Sequence, residues 1–188
     1  LKLRQEMRLE LKTLQRETGI TFIFVTHDQE EALIMSDRIA VMHEGRLLQV
    51  DTPENIYEHP TTRFVADFIG RTNFLAATVA GADEVVLANG DRLRLASDRP
   101  TGEAVAVTVR PERLTVHQRG QAPEGLHHLD GTVDSVVYVG NAIAYTVSID
   151  WMRLEVRCPA TLVGDRMAVG DPVTVSFKPE HATVVSEQ

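Results

Sequence analysis

The chain has 188 residues, 43% of them apolar, and a formal net charge of −8. This composition excludes intrinsic disorder, and the excess of acidic residues argues against nucleic-acid binding, which depends on Lys and Arg neutralising phosphates. The single cysteine, Cys158, excludes an internal disulfide and is typical of a reducing cytosol, and no apolar run reaches the roughly 18 residues that a membrane span needs.

The first part of the chain alternates between helical and strand patterns. An apolar stripe at helical spacing predicts a helix over residues 1–17 that packs in a core and ends at Gly19. The residues of this stripe are Leu3, Met7, Leu11 and Leu14. The run 20–25 is apolar, aromatic and β-branched, which predicts a strand covered on both faces, as in a parallel sheet. Because the chain opens within a helical pattern and without Met, we expect it to be part of a longer protein.

Shorter elements follow up to residue 74. The pattern predicts a helix over 29–36, a hairpin of residues 38–42 and 46–50 around Glu44-Gly45, a helix that begins at Thr52-Pro53, and a helix over 63–69 stopped by Gly70. Residues 1–74 are therefore predicted to be a domain of α/β type.

From residue 75 the pattern changes to short alternating runs separated by Gly, Asp-Gly and Pro. We predict strands at 85–87, 93–95, 105–109, 133–139, 143–149, 154–157 and 173–177, and an exposed loop at 117–130. No helical stripe interrupts them, so residues 75–188 are predicted to be a second, all-β domain, a small OB-like barrel.

Two segments of this second region resemble each other. Residues 106–112 and 173–180 are both alternating strands that run into a basic residue, Pro and Glu. The basic residues are Arg110 and Lys178, which either line an anion pocket or pair with the nearby carboxylates Glu112 and Glu180. The repetition favours a barrel built from two related halves.

The adjacent pair His127-His128 is the other feature of this region with potential chemistry. No further ligand stands at helical or hairpin spacing, so we predict no metal site. Aromatic residues are few and acidic residues exceed basic ones from residue 75 onward, so we also predict no nucleic-acid partner.

The strongest local signal for chemistry is the sequence Val25-Thr26-His27-Asp28 directly after the predicted strand. Ligands of α/β sheets bind at the carboxyl ends of strands. A histidine there, followed by acidic residues at a helix start, is placed to contact a phosphate.

The surrounding motifs, in their order and spacing, resemble ABC-transporter ATPases. Residues 26–32, 36–39, 45–46 and 52–53 resemble the switch-histidine region, and residues 64–70 with Asn73 resemble the end of the nucleotide-binding domain in importers. Arg110-Pro111-Glu112 and residues 131–140 resemble the transport-associated OB-like domain, TOBE. Asp51 stands where the family often has Gly before Thr-Pro. The chain as a whole resembles the C-terminal portion of an importer ATP-binding subunit, most closely of the spermidine/putrescine type.

This resemblance implies specific roles for two residues. His27 is expected to be the catalytic switch histidine, in contact with the ATP γ-phosphate and the attacking water, where an imidazole stabilises developing charge. Asp28 is a secondary candidate at the nucleotide, because its family position lies near the dimer and coupling surface. The simpler alternative is that Asp28 is an acidic residue favoured by a helix N-terminus.

The resemblance also implies a fold and partners. The fold expected is an α/β remnant of a P-loop NTPase domain, followed by the TOBE barrel. The longer protein would bind ATP and Mg²⁺, form a homodimer, and act with integral-membrane permease subunits and a periplasmic substrate-binding protein. Its place would be the cytoplasmic face of the bacterial inner membrane.

Several catalytic motifs of that family are absent from this sequence. A P-loop requires a lysine after glycine, and none of the three lysines, Lys2, Lys12 and Lys178, follows one. The signature motif and the Walker B strand are missing as well. We therefore expect this chain alone to bind no ATP and to hydrolyse none. The alternative is a small-anion-binding or regulatory OB-like module without an ATPase role.

Overall fold

The N-terminal part of the chain is helical. The computed structural model describes residues 2–161 and 166–187, without the side chains of residues 2–6, 8 and 9. Helix α1 spans Lys2–Thr18 and helix α2 spans Gln29–Met35. Gly19 ends α1 as predicted, because its φ is +65° and its N–H donates to the carbonyl of Gln15 at 2.9 Å.

The predicted buried strand over residues 20–25 was wrong. Residues 20–26 have no regular secondary structure, and Ile23 and Val25 are 89% and 97% exposed. A strand forms only where neighbours accept its main-chain N–H and C=O groups, and none of the described strands pairs with this segment.

The apolar stripe of α1 is likewise not packed in a core. Met7 and Leu14 are 53% and 49% exposed, and Leu11 is also exposed, because no described sheet covers this helix. The side chain of Leu3 lies outside the described residues. In this chain α1 and residues 20–26 therefore present an apolar surface.

Residues 38–51 form the predicted hairpin. Strand β1, Ile39–His43, pairs antiparallel with strand β2, Arg46–Asp51. Both turn residues have positive φ, +47° for Glu44 and +75° for Gly45, as the tight turns of two-residue hairpins require.

Two short helices follow the hairpin. Helix α3 spans Pro53–Glu58 and helix α4 spans Arg63–Ile69, and the hydroxyls of Thr52 and Thr62 accept hydrogen bonds from main-chain N–H groups in their first turns. The hairpin and helices share a small core of five buried side chains, which are Ile39, Val41, Ile56, Val65 and Ile69.

The remaining described strands form two antiparallel five-stranded sheets around one larger aliphatic core. In chain order they are β3 Asn73–Gly81, β4 Glu84–Leu87, β5 Arg92–Leu93, β6 Ala104–Val109, β7 Thr115–Gln118, β8 His127–Tyr138, β9 Ala142–Ile149, β10 Met152–Pro159, β11 Pro172–Phe177 and β12 Ala182–Val185. This arrangement agrees with the predicted OB-like barrel.

The predicted loop over 117–130 was too long at both ends. Strand β7 extends to Gln118 and strand β8 begins at His127, so the connection is confined to residues 119–126. At the start of β8, buried Leu129 lies between exposed polar residues. A strand with one face in solvent contains many polar residues, and its composition therefore resembles that of a loop. Strands β3 and β12 were not predicted, and β5 is shorter than the predicted strand 93–95.

The two sheets repeat one arrangement of strands. One sheet has the order β12-β6-β3-β4-β5 and the other has the order β7-β11-β8-β9-β10. In both halves a strand, β6 or β11, runs into a short 3₁₀ turn, and the strand after that turn crosses to the other sheet. The sequence repetition predicted two related halves, and the topology adds that they exchange their last strands.

A buried asparagine links β3 to the edge of β10. The Asn73 amide donates to the carbonyl of Glu155 at 2.8 Å and to the carbonyl of Val109 at 3.2 Å. Its Oδ1 accepts from the Glu155 N–H at 2.7 Å. The Asn73 side chain thus joins β3 of one sheet to the main chain of β10 in the other sheet.

Candidate functional site

The predicted site residue His27 lies in a tight loop before helix α2. Thr26 Oγ1 accepts a hydrogen bond from the Asp28 N–H at 2.9 Å and donates one to Glu31 Oε2 at 3.1 Å. Asp28 Oδ1 in turn accepts from the Glu31 N–H at 3.1 Å. We call residues 26–31 the histidine corner.

Of the two predicted site residues in the histidine corner, His27 is exposed to solvent and Asp28 caps a helix. His27 is exposed at the apex, between the two residues that hold the loop. Asp28 is the N-cap of α2, a role that typically contributes about 1 kcal/mol to helix stability. Its predicted place near a coupling surface stays a prediction. No role was predicted for Thr26 or Glu31, although Glu31 stands three positions after the N-cap Asp28, which is the spacing of a capping box.

A second polar site joins the short helices to the barrel, and its centre is Arg110. This residue is only 4% exposed. Its guanidinium donates to four main-chain carbonyls, those of Tyr57 at 3.0 Å, Ala66 at 2.9 Å, Gly70 at 2.8 Å and Arg71 at 3.2 Å. It also lies 4.3 Å from the centre of the Tyr57 ring. We call this arrangement the junction.

Arg110 satisfies carbonyls at the ends of α3 and α4 that the helices themselves leave unpaired. Burial lowers the pKa of the Arg110 guanidinium, and Tyr57 and Glu112 oppose that change. Its five N–H groups in a planar fork suit several carbonyls at once. The residue therefore acts as a clamp between helices and barrel.

Two contacts between side chains surround this clamp. The Tyr57 hydroxyl donates to Glu112 Oε1 at 2.5 Å, and Arg113 pairs with Glu58. Burial, together with the bond to Glu112, raises the pKa of Tyr57 to about 12. Deprotonation of Tyr57 would place two negative oxygens together, so the junction favours the neutral phenol.

The two basic residues of the repeated segments have different environments. Lys178 pairs with Glu180 at 3.3 Å, and its side chain is 57% exposed, so the carboxylate alternative holds for Lys178. Neither alternative holds for Arg110, because carbonyls occupy its N–H groups.

The adjacent histidines of β8 have separate partners. His127 packs edge-on against the Phe177 ring, and its Nε2 lies 3.7 Å from an Asp91 carboxylate oxygen. His128 contacts the carbonyl of Pro123 through Nε2 at 2.9 Å. Burial lowers the pKa of His127, an effect that Asp91 partly opposes.

The barrel has an acidic cleft of about 460 Å³ beside these histidines. Three carboxylates, Asp91, Asp130 and Asp150, and the ring of Trp151 line it. Asp130 accepts a hydrogen bond from Thr174 at 2.6 Å and lies 3.4 Å from Arg119, so part of its charge is already compensated.

Residues 107–185 of this chain match the protein family described as TOBE domain. The chain is 47% identical over 193 residues to a protein of Pseudomonas fluorescens named "Spermidine/putrescine import ATP-binding protein PotA", covering 98% of this chain and 51% of the relative. A protein of the same name from Rubrobacter xylanophilus is 44% identical over 194 residues, covering 98% and 50%. This chain is therefore homologous to the C-terminal part of polyamine-import ATP-binding proteins, and it spans about half the length of the curated relatives it matches.

A solved structure shares the fold of the barrel. It is that of the cytoplasmic molybdate-binding protein ModG with molybdate bound, with a TM-score of 0.53 and 16% identity over 61% of this chain and 95% of that chain. The likeness concerns the fold alone. Among the helices of the described residues, none has the length and apolar character to cross a membrane.

Proposed function

We propose that this chain is the C-terminal half of the ATP-binding, energy-coupling subunit of an ABC importer that takes up polyamines. The observation that carries the proposal is the identity of 47% over 98% of the chain to a spermidine/putrescine import protein. The TOBE match over residues 107–185 supports the same assignment for the barrel.

In this proposal residues 1–74 belong to a P-loop NTPase domain and residues 75–188 form the TOBE domain. The exposed apolar side chains of α1 and residues 20–26 support this division, because they have the composition of buried sheet and helix surfaces.

His27 is the proposed catalytic contact to the ATP γ-phosphate and the attacking water. Its exposure at the apex of the histidine corner supports this, because a side chain that contacts nucleotide cannot be committed to the core. ATP and Mg²⁺ would be bound mainly by segments that this sequence lacks. Asp28 would contribute by capping α2, which fixes the main chain next to His27.

The proposed assembly is a homodimer on the cytoplasmic face of the bacterial inner membrane, beneath permease subunits that receive substrate from a periplasmic binding protein. ATP would close the nucleotide domains across their shared interface, and hydrolysis would reopen them. The barrel would stabilise the dimer.

Ligand-induced thermal shifts of this chain separate the proposal from the small-anion alternative. A ligand at about 100 times its dissociation constant adds roughly 2.7 kcal/mol of stability. We expect no shift with Mg-ATP, because the chain has no P-loop. A shift with molybdate or sulfate alone would favour the anion module. A shift with spermidine that Asp150→Asn removes would locate polyamine binding in the acidic cleft.

The transport role itself is tested with the longest natural polypeptide that contains these residues. Together with its permease, it should restore uptake of labelled spermidine or putrescine to cells lacking polyamine importers. His27→Ala should abolish ATP hydrolysis and uptake, and Glu124→Ala, a substitution in the loop 119–126, should not. Uptake that persists with the His27 variant would refute the catalytic role.

A further inference from the structure

Three hydrogen bonds link residues of the histidine corner to one another. Thr26 binds Asp28, Asp28 binds Glu31, and Glu31 binds Thr26, through bonds of 2.9, 3.1 and 3.1 Å. Each bond joins residues two to five positions apart. These bonds therefore hold the main chain on both sides of His27 without a strand partner.

Glu31 has two separate roles in this set. Its main-chain N–H completes the cap of α2, and any residue except proline would supply that group. Its carboxylate accepts a hydrogen bond from the Thr26 hydroxyl, which leaves the Thr26 lone pairs to accept from the Asp28 N–H. Of these two roles only the second depends on the side chain, so substitution of Glu31 tests it.

We propose that Glu31 is a positioning residue for His27, acting through the Thr26 hydroxyl to fix the main chain on both sides of the histidine. The inference rests on the proposed function, in which His27 contacts the γ-phosphate and the attacking water. A hydrogen bond that holds the reacting geometry affects turnover, whereas substrate binding depends mainly on other contacts to the nucleotide.

Steady-state ATP hydrolysis by the longest natural polypeptide containing these residues provides the first test. Glu31→Ala should lower kcat about three- to tenfold with KM for ATP unchanged, which corresponds to the loss of one ordinary hydrogen bond. Glu31→Gln should restore most of the rate, because its amide oxygen still accepts from Thr26. Glu30→Ala is the matched control, since Glu30 is an exposed acidic residue in the same first turn of α2.

The local effect is measured on the 188-residue chain by hydrogen exchange. The Asp28 amide should exchange several-fold faster in Glu31→Ala than in wild type, and at the wild-type rate in Glu30→Ala. Equal exchange in all three proteins, or a Glu31→Gln variant as slow in turnover as Glu31→Ala, would overturn the positioning role.

A His27→Ala variant separates failure of this inference from failure of the proposed function. If His27→Ala is inactive and Glu31→Ala turns over like wild type, the positioning role is wrong and the catalytic histidine stands. If His27→Ala retains its rate, both are wrong. A loss of activity in Glu30→Ala equal to that in Glu31→Ala would assign the effect to helix charge and reject the inference.

Discussion

Replacing Arg110 by alanine should be among the most destabilising single substitutions in this protein. The change removes four hydrogen bonds from a guanidinium that is 4% exposed, and it leaves four carbonyls at the junction without their donor. A hydrogen bond to a charged group contributes about 1.5–3 kcal/mol, but neighbouring bonds do not add and water will reach some carbonyls. We therefore expect a loss of about 3–5 kcal/mol, a large fraction of the roughly 5–15 kcal/mol typical of a domain.

Equilibrium unfolding in urea measures this loss, and Lys178→Ala is the matched control. Lys178 occupies the equivalent place in the other half of the barrel, and its exposed pair with Glu180 predicts a change within about 0.5 kcal/mol. Arg110→Lys should be intermediate, because an ammonium keeps the charge but cannot reach four carbonyls. A loss below about 1 kcal/mol for Arg110→Ala, or equal losses at both positions, would refute the clamp.

Three further changes test the barrel by the same method. Asn73→Ala removes three hydrogen bonds, two of them to the β10 edge, and should cost about 2–4 kcal/mol; a cost near zero would mean that water replaces the amide. Gly131→Ala would place a Cβ 2.5 Å from the carbonyl oxygen of Ser148 and should cost about 2–4 kcal/mol, whereas Gly81→Ala, in open space, should stay within about 0.5 kcal/mol. The lowered pKa of His127 means that the unfolded chain binds this proton more readily, so stability should fall as pH drops below about 6.5, and His127→Gln should reduce that slope; an unchanged slope contradicts the assignment.

Elements with local causes were predicted well from the sequence. The positive φ of Gly19, the turn at Glu44-Gly45 and the caps at Thr52 depend on residues that stand next to each other in the chain. The barrel halves were also foreseen, because the repeated segments run into the same basic residue, Pro and Glu. The exchange of last strands was not foreseen, since pairing partners far apart in sequence leave no local pattern.

The repeated basic residue, Pro and Glu have different environments in the two halves of the barrel. Arg110 and Lys178 follow equivalent strands and precede equivalent 3₁₀ turns. The two residues differ in what they face. Main-chain carbonyls at the ends of α3 and α4 point at Arg110, whereas Lys178 faces solvent. The sequence specifies the position of each basic residue but not its acceptors, which belong to elements about 40–53 positions earlier in the chain.

The histidine corner and residues 20–25 differ in where their hydrogen-bond partners lie along the sequence. Three hydrogen bonds of the corner join residues within a span of six, so none of these three bonds needs a strand partner. Residues 20–25 have strand composition, but their main-chain groups need partners from other strands, and they remain exposed. The shape of the loop around His27 is therefore a property of the local sequence. Placing that loop opposite a nucleotide requires contacts that residues 20–26 do not make here, so the local geometry and the catalytic role must be tested by separate measurements.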